Sequence, residues 1–70
     1  MLTELTIRLI SEGLWEVSKA NTSYIIHIID DKNYVLTCKK YINELSEFVE
    51  IYMSTFYNFE DCCFYILTMN

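Results

Sequence analysis

The sequence predicts an α+β domain: a short N-terminal helix, an antiparallel three-stranded meander, a long amphipathic helix and a C-terminal strand, in the order α-β-β-β-α-β. Three observations carry that prediction. Residues 14–40 alternate between apolar and polar side chains and are broken by turn-prone clusters. Residues 43–57 switch to an apolar repeat of three and four. Residues 62–67 are continuously apolar, the pattern of a strand covered on both faces. Seventy residues make one domain, 1–70. At 53% hydrophobic and 16% aromatic, the composition is that of a packed core rather than of a disordered chain.

Each element has its own signal. In "LTELTIRLISEG" (2–13), Leu2, Leu5 and Leu9 share a helical face and Gly13 suits a helix C-cap. Leu5, Ile7 and Leu9 also alternate as in a strand, with "SEG" as a hairpin loop; the helix is the preferred reading. "LWEVSKA" (14–20), "YIIHIID" (24–30) and "YVLTCKK" (34–40) read as strands joined by "NTS" and "DDKN", and connections so short admit only antiparallel neighbours. From Ile42 on, Leu45, Val49, Tyr52, Met53 and Phe56 form an amphipathic stripe, with Asn43 as N-cap and Asn58 as stop. "CCFYILTM" (62–69) closes a four-stranded sheet crossed by the long helix.

Charge is distributed unevenly. Residues 1–40 hold five acidic and five basic side chains, whereas residues 41–70 hold Glu44, Glu47, Glu50, Glu60 and Asp61 and no base, so the net charge of −5 lies in the last thirty residues. That field repels nucleic acid and anionic lipid and attracts basic protein surface. The helix dipole accounts for Glu44 and Glu47 in a first turn but not for Glu50. Ile51, an apolar residue beside these acids, fits an interface centre with a charged rim, against the plainer reading of a solvated face.

Chemistry is poorly represented. His27 is the only histidine, and no second polar group adjoins it in sequence. Cys38, Cys62 and Cys63 lack the paired spacing of a zinc site, and their odd number argues against a secreted disulfide framework. A chain with one glycine builds no phosphate-cradling loop. No enzyme, cofactor or metal is therefore expected. No charged leader precedes a long apolar core, and no apolar run approaches the ~20 residues of a membrane span, so the expected setting is the cytoplasm, the host's if the chain is viral. Tyr34, Tyr41, Tyr52, Tyr57 and Tyr65 suit either core or interface.

Small size, acidity and the order helix, meander, helix over residues 2–57 resemble the small phage-encoded anti-CRISPR proteins that inhibit Cas nucleases. The chain departs from them in ending on an apolar strand and in carrying its acids on the second helix and in "FED" (59–61). The resemblance implies a DNA mimic, whose carboxylates occupy a basic groove meant for duplex. The expected function is an inhibitor that binds a basic nucleic-acid site of a larger protein through Glu44, Glu47, Glu50, Glu60 and Asp61, with Ile51 and Tyr57 as anchors. The alternative is a homodimeric structural module joined through the last strand and spare tyrosines; a small redox or metal protein ranks last.

Overall fold

A computed structural model describes residues 4–69. The fold is a five-stranded antiparallel sheet in the order β1-β2-β3-β4-β5, with one helix laid across one face. The strands are β1 (Leu5–Ser11), β2 (Leu14–Lys19), β3 (Thr22–Asp30), β4 (Asn33–Ile42) and β5 (Glu47–Phe56), and the helix is α1 (Phe59–Thr68). The shortest dimension, 20 Å, is that of two layers.

The meander over β2, β3 and β4 is as the alternation predicts, but three other elements are corrected. The N-terminal helix is replaced by β1, which pairs with β2 from Leu5↔Lys19 to Leu9↔Trp15; the first residues assigned to that helix lie outside the described ones. Leu5, Ile7 and Leu9 alternate along β1, so the strand reading of this segment is the one that holds. The long helix over 43–57 is replaced by a turn at 43–46 and by β5, paired with β4 from Ile42↔Glu47 to Tyr34↔Phe56. β5 is rich in β-branched and aromatic residues, which fit a pleated surface. Its apolar period of three and four is the product of two apolar faces plus one shift of register, which leaves Met53 without a cross-strand partner. The C-terminal strand is replaced by α1. Asn58, expected to stop a helix, starts one: its side chain accepts the Asp61 N–H at 2.8 Å.

In α1, Phe59, Cys62, Cys63 and Ile66 recur at the spacing of one helical face and meet the sheet. Of the other positions, Phe64, Tyr65 and Leu67 are apolar too, which hid the period. No base stands in the last turn of α1; Lys19 of β2 supplies it from the sheet, its Nζ donating to the carbonyls of Ile66 at 3.0 Å, Leu67 at 3.4 Å and Met69.

The core lies between sheet and helix. Val17, Ile26, Leu36, Cys62 and Ile66 are completely buried, ringed by Tyr24, Cys38, Trp15, Tyr34, Phe56 and Phe59. Burying Ile26, Leu36 or Ile66 stabilises the fold by about 2 kcal/mol each. Trp15 meets Phe59 edge-on at 5.4 Å, and Phe56 meets Tyr65 at 5.3 Å, which fixes the helix across the strands.

Candidate functional site

Consecutive antiparallel strands put alternate connections at the same end of the sheet. The β1–β2 and β3–β4 turns therefore share an end, and the chain returns to it when β5 leads into α1. Each of these three connections is acidic. Glu12 occupies the first, Asp30 and Asp31 the second, and Glu60 and Asp61 the first turn of α1, all exposed. Lys32 is the basic residue among them. Five carboxylates against one ammonium make this end an acidic pole.

Local chemistry fixes each connection. Gly13 sits at φ +74°, its carbonyl accepts the Ile28 N–H at 2.8 Å, and a Cβ there would lie 3.3 Å from the Ile28 carbonyl oxygen. The first turn is thereby bound to β3. Asp30 accepts the Lys32 backbone N–H and the Asn33 amide, each at 2.9 Å, and these bonds hold its carboxyl below the ordinary range. Glu60 and Asp61 stand where the helix dipole favours anions.

Apolar side chains are interleaved with these acids. Two shifts of register, at Leu9/Ser11 and Ile28/Asp30, leave Ile10 and Ile29 without cross-strand partners. Ile10 is 43% exposed, Ile29 67% and Tyr57, before the helix cap, 77%. Acids around exposed apolar residues form the pattern of an interface centre with a charged rim.

The structure divides the residues expected from sequence. Tyr57, Glu60 and Asp61 come together at the pole. Glu44 and Glu47 lie at the opposite end, in the β4–β5 turn and at the start of β5, where Lys40 and Lys39 also lie on β4. Glu50 projects from the sheet face that lacks the helix. Its Oε1 is 2.5 Å from His27 Nε2 and accepts the Thr37 hydroxyl at 2.7 Å, and these bonds, with the charge of Lys39, hold its carboxyl low. The row of three free glutamates on one helix face is thus corrected: Glu50 has partners and shares no helix with the other two. Ile51 is on the face opposite to Glu50, as strand alternation requires. It lines an open groove of about 550 Å³ beside α1, with Tyr24, Cys38, Lys40, Met53 and Tyr65.

Glu12, Asp30, Asp31, Ile10 and Ile29 were missed as site residues. Reading 5–11 as a strand would have exposed them, because in a meander the first and third turns share an end.

The face without the helix mixes polar side chains with the exposed aromatic rings of Tyr41, Phe48 and Tyr52, and it is not open throughout. Ile25 and Thr37 are buried there, between the Arg8–Glu16 pair on one side and Glu50 and His27 on the other. Arg8 Nη2 lies 2.6 Å from Glu16, which lowers the Glu16 carboxyl. Among the described residues, no group of three His, Cys, Asp or Glu side chains is placed to hold a metal ion. The cysteines are free thiols, and burial pushes the Cys62 thiol up to about 11. Among the described residues, no helix is long and apolar enough to cross a membrane. No family model, curated protein or solved structure matches the chain.

Proposed function

We propose that the chain is a protein-binding inhibitor whose acidic pole occupies a basic, nucleic-acid-binding surface of a larger protein, a CRISPR effector being the first to test. One observation carries this reading: three connections far apart in sequence bring Glu12, Asp30, Asp31, Glu60 and Asp61 to one end, around exposed Ile29 and Tyr57. Carboxylates held on short turns and a capped helix need little ordering on contact, and their field accelerates encounter with a cationic partner. The apolar residues then supply the desolvated centre. Small size and acidity support the likeness to anti-CRISPR proteins; element order no longer does, because residues 5–11 and 47–56 are strands.

The reading is tested by displacing a labelled target duplex from purified CRISPR effector complexes at several salt concentrations. The chain should displace the duplex, and less so as salt rises. A Glu12→Gln/Asp31→Asn/Glu60→Gln variant should lose about tenfold, as expected from three rim attractions of about 0.5 kcal/mol each. Glu44→Gln/Glu47→Gln should compete like the parent. No displacement from any effector, or an unchanged salt slope in the triple variant, overturns the reading.

A further inference from the structure

We propose that the β1 edge is a self-association surface, on which a second copy of this chain adds its own β1 antiparallel and extends the sheet across a two-fold axis through Ile7. β1 and β5 are the two edge strands, and an edge strand presents unpaired backbone donors and acceptors to any strand that can reach it. The two edges differ in how they are guarded. β5 carries Glu47 and Glu50 and a register shift at Met53 in its interior, all of which oppose pairing. β1, "LTIRLIS", has one charge, Arg8, already bound to Glu16 at 2.6 Å, and its register shift falls at its far end, beyond Leu9. Among the described residues, nothing pairs with its outer side.

Its side chains are apolar where they would meet a copy. Ile7 is 47% exposed and Leu9 55%, on the face that bears the helix. Leu67, on the flank of α1 turned away from Tyr65 and the β5 side, is also exposed. The occupant follows from charge. Glu4 stands just before β1 and Glu16 is bound to Arg8; the other acids gather at the pole, in the β4–β5 turn and on β5. Two copies that meet through β5 would therefore oppose glutamates, whereas two that meet through β1 oppose a strand whose one charge is already paired. Antiparallel pairing also sends the two acidic poles to opposite ends of the joined sheet.

Register follows from the pleat. Partners must share a face, so the axis passes through a residue and not between two. An axis at Arg8 would set Arg8 against its copy. An axis at Ile7 sets Ile7 against Ile7 and Leu5 against Leu9, and places each Arg8 beside Thr6.

Sedimentation of the native chain over a concentration series, together with oxidative cross-linking of variants that each carry one added cysteine, tests the surface. The native chain should pass from monomer to dimer, and Ile7→Lys should remain monomeric with its circular dichroism unchanged. Ile7→Cys should cross-link to itself, above the blank set by the native thiols, while Leu9→Cys should not, because Leu9 faces Leu5. This comparison does not depend on how well Ile7→Lys folds. A native chain that stays monomeric, a dimer that survives Ile7→Lys, or cross-linking at Leu9→Cys equal to that at Ile7→Cys overturns the proposal. The pole variant Glu12→Gln/Asp31→Asn/Glu60→Gln leaves β1 intact and should dimerise like the native chain, so failure here and failure of the inhibitor reading are separable.

Discussion

Glu50 receives its partner from twenty-three residues away, since His27 stands two strands over on the same face. Neither residue announces the other in sequence; only the register of β3, β4 and β5 brings them together. The hydrogen bonds from His27 and Thr37 lower the Glu50 carboxyl. A carboxyl lowered by folding contributes stability above its ordinary pKa, and that contribution is lost as pH falls through the lowered value. Glu50→Gln should therefore cost about 0.5 kcal/mol at neutral pH, the scale of a partly exposed hydrogen bond to a carboxylate. The gap from the native chain should close in acid, as urea midpoints at the two pH values will show. A deficit that persists in acid would mean that packing, not charge, is what Glu50 contributes.

Among the elements, the meander over β2 to β4 was legible because its strands are rich in β-branched and aromatic residues and are broken by short turn-prone clusters, although β3 and β4 each bury three consecutive residues at their centre. β5 and α1 were not, for one shared reason: both carry apolar residues on the side turned to solvent. In β5, Phe48 and Tyr52 occupy the exposed face, and Phe48 is held there by Tyr41 edge-on at 5.1 Å and by Lys39 over its ring. In α1, Phe64 and Leu67 erase the polar side that would have marked a helix. The decisive signal was a cap: Asn58 followed by Glu60 and Asp61 reads as a helix start if weighed ahead of the apolar run. Asn58→Ala should accordingly destabilise the protein by about 1 kcal/mol, measured by thermal or urea unfolding. An unchanged midpoint would mean that packing of Cys62 and Ile66 alone holds the helix.

At the scale of the molecule, the sequence shows an acidic stretch over its last thirty residues, whereas the fold gathers charge by turns, taking Glu12, Asp30 and Asp31 from the first forty, which sum to zero. The pole is illegible from the sequence because Leu2, Leu5 and Leu9 also fit a helical face, and a helix there removes one turn from the meander. The helix is also the sole cover of the core among the described elements, and Cys62 lies beneath it, fully buried. Its thiol, raised to about 11 from an ordinary 9.0, stays neutral in the folded chain after the unfolded chain has begun to ionise. Stability should hold below about pH 9 and decline toward about pH 11. Cys62→Ala should flatten the decline in urea titrations across that range; an equal slope in the variant would assign it to Cys63 or Tyr24, whose side chains burial also raises. The strand order β1-β2-β3-β4-β5 has a kinetic consequence as well. Every ladder joins segments that are consecutive along the chain, so each hairpin can zip from its own short loop with little closure entropy. The helix, last in the chain, then docks onto a sheet already assembled, and a ribosome releases the cover only after the surface it covers has emerged.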